Sequence, residues 1–158
     1  MTVMLIPATN ADVPVLLNLL HTAYAEYRGK LDPPSGAHSE TLETVEKKLQ
    51  TAHVIKAVID ETAVGCVFIE CKPDSIYFSR LAVLPTYRGQ GVGRQMVAYV
   101  ESYACAQHMP RVTLGVRLAI PANIEYYTKL GYHIASYACH AGYTEFTSAN
   151  MEKVMSEV

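Results

Sequence analysis

Ser79-Arg-Leu-Ala-Val-Leu-Pro-Thr-Tyr-Arg-Gly-Gln-Gly-Val-Gly-Arg94 is the stretch on which the rest of the chain turns. It begins inside an apolar run, Ile76 to Leu84, which is short and rich in β-formers and so predicts a buried strand. Pro85 stops it. Gly89, Gly91 and Gly93 follow, flanked by Arg88 and Arg94, and Val92, Met96, Val100, Tyr103 and Ala104 then recur at helical spacing. A strand feeding a glycine-rich turn and a helix N-terminus gathers unpaired backbone N–H groups in one place. With no Cβ atoms in the way, an anion can approach closely enough to accept from them. The helix dipole adds about 0.3–1 kcal/mol. The stretch reads as a pyrophosphate cradle; the bland alternative is a flexible turn.

Two common phosphate binders are excluded. A P-loop requires Gly-Lys-Ser/Thr, and Gly93 is followed by Arg94-Gln95. The dinucleotide fingerprint requires G-x-G-x-x-G, and here the third glycine falls one place early. The stretch His108 to Leu114, where a ribose-binding acid is expected, holds no Asp or Glu.

Arg88-Gly-Gln-Gly-Val-Gly93 resembles the R/Q-x-x-G-x-G/A signature of the GNAT N-acetyltransferase superfamily, and Leu81-Ala-Val-Leu-Pro85 resembles its coenzyme A-binding strand. Pro121-Ala-Asn-Ile-Glu-Tyr-Tyr-Thr-Lys-Leu-Gly-Tyr132 is similar to the family's asparagine, helix, tyrosine and Leu-Gly-aromatic ending. The resemblance implies acetyl-CoA as cosubstrate. Arg88, Gly89, Gln90, Gly91, Val92, Gly93 and Arg94 would hold its pyrophosphate, and the main chain of Leu81, Ala82 and Val83 would pair with the pantetheine arm and polarise the thioester. Asn123 would bind the same arm, or merely cap its helix. Tyr127 would be the general acid, because a phenol with an ordinary pKa near 10 stays protonated at neutral pH and can donate to a departing thiolate. The structural alternative for Tyr127 is half-buried packing, with Tyr126 exposed beside it.

Composition sets the frame. With 158 residues, 50% hydrophobic and 18% charged, at net charge −2, the chain is expected to form one globular domain spanning 1–158. Its thirteen Lys and Arg residues form no run longer than Lys47-Lys48, so nucleic acid is not an expected partner. No apolar run approaches 18 residues and the N-terminus lacks a signal-peptide pattern, so no membrane is expected and the location expected is cytoplasmic. Cys66, Cys71, Cys105 and Cys139 show no zinc spacing, no metal is expected, and Cys66 reads as core filler. A homodimer is left open.

In chain order, Val3 to Pro7 predicts a strand, and Asn10 or Asp12 a cap for a helix burying Val15, Leu16, Leu19, Leu20, Ala23 and Tyr24. Arg28 to Ala37 is a loop. Ser39 or Thr41 opens a second helix with Leu42, Val45 and Leu49 inward. His53–Asp60 and Thr62–Cys71 make a hairpin before the strand at Ile76. After the long helix, a strand at Arg111–Val116, a short helix from Pro121 to Leu130 with Gly131 as C-cap, and strands at Tyr132–Cys139 and Tyr143–Val154 complete the order β-α-α-β-β-β-α-β-α-β-β. This is a mixed α/β (α+β) fold with a largely antiparallel sheet flanked by helices, and the element order of the GNAT fold.

Acetyl transfer to a primary amine of a small molecule or peptide also needs a base. An alkylammonium of pKa about 10.4 is neutral only about once in 2,500 molecules at pH 7, a cost of roughly 4.6 kcal/mol. Tyr77 and Ser79 share a strand face with Leu81 where the family often places a base, yet neither is a carboxylate; Glu70, Glu26 and His140 are alternatives, and none is favoured. By the same resemblance, Tyr24, Tyr27, Tyr77, His140 and Tyr143 are expected to line the acceptor pocket. A non-catalytic acyl-CoA sensor is the competing class, and a transferase of another acyl group a third.

Overall fold

The computed structural model describes residues 2–155. Among them, the elements are β1 (Met4–Pro7), α1 (Val13–Ala23), α2 (Leu42–Thr51), β2 (His53–Ile59), β3 (Thr62–Cys71), β4 (Ile76–Val83), α3 (Val92–Ala106), β5 (Arg111–Arg117), α4 (Pro121–Lys129), β6 (His133–Ala138) and β7 (Ser148–Val154). That is the expected order. The chain divides into two compact units, one of Met1–Cys71 with Phe78–Val100 and one of Lys72–Tyr77 with Glu101–Val158.

In the first unit the strands lie in the order β1-β2-β3-β4. β1 and β3 both run antiparallel to β2. The β2–β3 turn is two residues, Asp60 and Glu61, at φ +48° and +66°, the left-handed pair that suits the twist of a tight hairpin. The core joins Val13, Leu16, Leu19, Leu20 and Ala23 of α1 to Val45 of α2 and to Val54, Cys66, Phe68 and Ala82 of the sheet. Burying each large side chain is worth about 1.5–3 kcal/mol. Cys66 is core filler, as expected. Two side chains expected inward are not: Val15 is 42% exposed and Leu42 is 53% exposed. The α1 stripe starts at Val13 and repeats at i+3, i+6, i+7 and i+10, which leaves Val15 on its flank; Leu42 is the first helical residue of α2.

Of the two expected caps, one forms as expected and the other does not. Thr41 caps α2, its hydroxyl accepting from Thr44 N–H at 3.2 Å. Neither Asn10 nor Asp12 caps α1 through its side chain. The chain makes a 3₁₀ turn there, and Asp12 accepts from Thr9 N–H at 2.9 Å and from Lys56 Nζ at 2.8 Å.

In the second unit, Ile76 and Tyr77 at the start of β4 pair parallel with Val112 and Thr113 of β5. β7 runs antiparallel to both β5 and β6, giving the order β5-β7-β6. Val112, Leu114, Val116, Tyr127, Tyr132, Ala149 and Met151 are buried. The last connection is longer than expected, because β7 begins at Ser148 rather than Tyr143. Thr147 gathers that loop: its N–H donates to Ala138 O at 2.9 Å, and its hydroxyl accepts from His140 N–H at 3.0 Å.

Candidate functional site

The first unit carries the glycine turn. After β4, Pro85–Tyr87 make one 3₁₀ turn, and Gly89 and Gly91 follow at φ +79° and +84°. At both values an L side chain is strained, so glycine is favoured at each. A Cβ built on either would meet nothing within 4 Å, so the space over the turn is open. Gln95 N–H donates to Gly91 O at 3.0 Å, which closes the first turn of α3. Helix geometry leaves the N–H groups of Val92, Gly93 and Arg94 ahead of that bond without intrahelical acceptors. Open space, left-handed glycines and first-turn N–H groups suit an anionic phosphate. Gln90 lies in the turn with its amide 3.4 Å from Thr86 O.

The two arginines separate. Arg94, in the first turn of α3, is exposed. Arg88 folds back instead: Nη2 donates to Ala23 O at 2.8 Å, Nε to Val83 O at 3.2 Å, and Nη1 pairs with Glu26 Oε1 at 2.5 Å. It covers a carbonyl at the C-terminal end of α1 and ties the end of β4 to the turn. Each hydrogen bond from a charged donor contributes about 1.5–3 kcal/mol when not shared with water, and a half-exposed ion pair about 0–1. Arg88→Ala is therefore expected to lower unfolding free energy by about 1–3 kcal/mol in a urea titration. A purely phosphate-facing arginine would leave that stability unchanged.

The Leu81–Val83 segment is held tightly. Tyr24, expected in the acceptor pocket, donates its hydroxyl to Leu81 O at 3.0 Å. Its ring lies 6.1 Å from that of Tyr27, and its carbonyl accepts from His38 Nε2 at 2.7 Å. Burial raises the Tyr24 phenol above its ordinary value, so it remains a donor. Ala82 is 2% exposed, and its carbonyl would lie 2.7 Å from a Cβ on Gly65, which keeps that strand position a glycine. Just before this segment Arg80 sits at φ +55°, inside a strand. Such a conformation costs about 1–3 kcal/mol in a residue other than glycine.

Arg80 leads to a cluster that sequence reasoning missed. Its Nε donates to Glu40 Oε2 at 3.0 Å, and the same oxygen accepts from Lys48 Nζ at 2.7 Å. Glu40 is 5% exposed. Burial alone would raise its pKa, but hydrogen bonds from Lys48, Thr44 and Arg80 outweigh it and hold the carboxyl below its ordinary 4.5. A depressed acid contributes stability above its unfolded pKa and loses it as pH falls through the folded one. The wild type is thus expected to lose stability on acidification below about pH 4.5 more steeply than Glu40→Gln, compared by melting temperature across that range. A signal was present in the sequence: Arg80 stands at the core parity of a strand whose Ile76, Phe78 and Ala82 are buried.

The second unit carries Tyr127, 9% exposed, with Tyr126 beside it at 39%. The Tyr127 carbonyl accepts from Leu130 N–H and Tyr132 N–H, both at 3.0 Å, and Gly131 at φ +99° allows the reversal. Its ring meets Tyr126 and Tyr132 edge-on at 5.1 and 6.0 Å. Tyr132 is itself pinned, donating to Glu101 Oε2 at 2.9 Å while Lys153 Nζ binds Glu101 Oε1 at 3.1 Å and Leu130 O at 3.0 Å. The ring of the phenol expected to act as acid thus has two edge-on neighbours, one of them pinned. Asn123 is in the first turn of α4, whose N-cap is Ile120, so the capping alternative fails. Tyr77 lies under the Lys72 ammonium, 5.6 Å from its ring centroid. His140 is hydrogen-bonded through its ring to Thr147 and packs edge-on to Tyr143 at 6.4 Å; burial and the Arg117 charge hold its pKa below 6.5.

Residues 50–134 match the family described as the acetyltransferase (GNAT) domain. Solved structures of similar fold include the PaiA N-acetyltransferase from Thermoplasma acidophilum in complex with coenzyme A, with TM-score 0.83 and 14% identity over 98% of this chain and 99% of that one. The ribosomal-protein-S18-alanine N-acetyltransferase from Escherichia coli superposes with TM-score 0.80 and 17% identity over 99% and 96%. A GNAT family acetyltransferase from Elizabethkingia anophelis with acetyl-CoA bound gives 0.72 and 18% over 96% and 97%. These identities speak to the fold; the matched domain covers more than half of the chain, and the chain belongs to the GNAT acetyltransferase family.

Proposed function

We propose that the whole chain works as one cytoplasmic, acetyl-CoA-dependent N-acetyltransferase domain that moves an acetyl group directly to a primary amine of a small molecule or peptide. The observation that carries it is the turn itself: two left-handed glycines with open space above them, at the mouth of a helix whose first-turn N–H groups have no helical acceptor. Gly89, Gln90, Gly91, Val92, Gly93 and Arg94 would hold the pyrophosphate, with Arg88 keeping the turn in shape. Leu81, Ala82 and Val83 would align the pantetheine arm through their main chain, and Asn123 would add its amide. When bound, acetyl-CoA supplies the acetyl group as an activated thioester.

Tyr127 would donate its phenolic proton to sulfur as the carbon–sulfur bond breaks and the carbon–nitrogen bond forms. An ammonium acceptor would lose one proton to a base or water before attack and a second once the carbon–nitrogen bond forms. A proton returned through solvent would restore the Tyr127 phenol. Glu26 is committed to Arg88, which argues against it in that role. The acceptor would meet Tyr24, Tyr27, Tyr77 and His140, where Tyr24 acts by holding Leu81 O.

Acetyl-CoA is expected to raise the melting temperature by several degrees, since a ligand of the native state at a hundredfold excess over its dissociation constant contributes about 2.7 kcal/mol. ATP and NAD at the same concentration should not. An equal shift with NAD would sink the coenzyme A reading. Thiol release from acetyl-CoA over a panel of polyamines, amino acids and a peptide N-terminus then identifies the acceptor.

A further inference from the structure

We infer that Arg80 and Glu40 form a positioning pair: their ion pair holds Arg80 in its left-handed conformation and so sets the direction of the Leu81–Val83 main chain. The functional side of this rests on the reading above, in which that main chain aligns the acyl-CoA arm.

The geometry holds the pair on several sides. Arg80 and Glu40 side chains are 24% and 4% exposed, so the bond lies largely out of water. A Cβ on Gly36 would fall 2.6 Å from Arg80 Nη2, so a glycine is what leaves room for the guanidinium. Glu40 is held in turn by Lys48 at 2.7 Å and, through its main-chain carbonyl, by His21 Nε2 at 3.0 Å. The peptide groups around the bend are pinned as well: Arg80 O faces Cys66 Sγ at 3.7 Å, and Leu81 O accepts from Tyr24 at 3.0 Å.

A core packed for stability alone has little use for this arrangement. An apolar side chain at 80 would continue the buried face set by Phe78 and Ala82 without desolvating two charges, and such replacements of buried ion pairs are commonly neutral or stabilising. Strain of this kind persists where the surroundings over-determine it, and it gathers next to functional segments. Here it stands one residue before the segment proposed to bind the cosubstrate.

The test compares Arg80→Ala, Glu40→Gln, Lys48→Met and the double variant Glu40→Gln with Arg80→Gly. Backbone amide chemical shifts of Leu81, Ala82 and Val83 are read without ligand, and the dissociation constant for acetyl-CoA by titration. Arg80→Ala and Glu40→Gln should displace those amide signals and weaken acetyl-CoA about tenfold, the scale of one lost hydrogen bond. Lys48→Met removes a cation from the same carboxylate but leaves Arg80 bound. It should lower melting temperature and leave the three amides in place, a split that a merely stabilising pair would not produce. In the double variant glycine adopts the left-handed conformation unaided, and the native shifts should return. If Arg80→Ala does not fold, Arg80→Lys, which keeps the charge but lacks Nε, is expected to move the same amides. Folded Arg80 and Glu40 variants with wild-type shifts and affinity would overturn the inference. Displaced amides in a protein whose wild type binds no acetyl-CoA would uphold the positioning pair and refute the cosubstrate reading instead.

Discussion

Tyr127→Phe is expected to lower kcat by about 10²–10⁴, the range for loss of a general acid. The substitution keeps the ring that meets Tyr126 and Tyr132 at 5.1 and 6.0 Å, and keeps the carbonyl that accepts from Leu130 and Tyr132. Fold stability should therefore change by about 1 kcal/mol or less. Acetyl-CoA affinity should stay within a few-fold, because the hydroxyl matters as negative charge develops on sulfur rather than in the ground state. Steady-state kinetics with the true amine, beside a binding titration, separate the outcomes. Weak binding at unchanged kcat would make Tyr127 a contact of the cofactor arm. Wild-type values of both would assign the proton to water or to the acceptor.

Gly91→Val should abolish measurable acetyl-CoA binding while leaving a folded protein. Gly91 stands at φ +84° with no atom within 4 Å of a Cβ placed on it, so the first carbon of the new side chain enters open space. The penalty in the free protein is then backbone strain, about 1–3 kcal/mol. The isopropyl group instead fills the volume a phosphate would enter. Each charge-assisted hydrogen bond lost there is worth about 1.5–3 kcal/mol, or roughly 10- to 100-fold in affinity. Gly91→Ala carries a similar left-handed strain with a single methyl, so its affinity should fall between wild type and valine. Circular dichroism establishes folding and calorimetry the affinity. A folded Gly91→Val protein with wild-type affinity would show that acetyl-CoA binds elsewhere.

Most of the architecture was legible because its signals are local. Apolar runs bounded by Pro85, Pro110 and the Asp60-Glu61 pair marked the strands, and helical spacing marked Val92 to Ala104. The errors fell where burial depends on a partner element. Val15 and Leu42 are apolar and adjacent to true core positions, yet the stripe that meets the sheet passes beside them. Tyr143 to Thr147 has strand-like residues and predicts a strand, whereas Thr147 folds that segment into a loop by bonding Ala138 and His140.

What the sequence by itself determined was the element order and the chemistry of the glycine turn, since a left-handed backbone, a missing Cβ and a helix start all follow from residues within a few places of one another. Only the tertiary structure decided what the charged side chains near that turn do. Arg88 lies beside the glycines in sequence but spends its donors on Ala23, Glu26 and Val83, two of them more than 60 residues away. Arg80 finds Glu40 across 40 residues, and Tyr24 finds Leu81 across 57. A long flexible side chain takes whichever acceptor the folded chain brings within reach, and no local pattern encodes that distance.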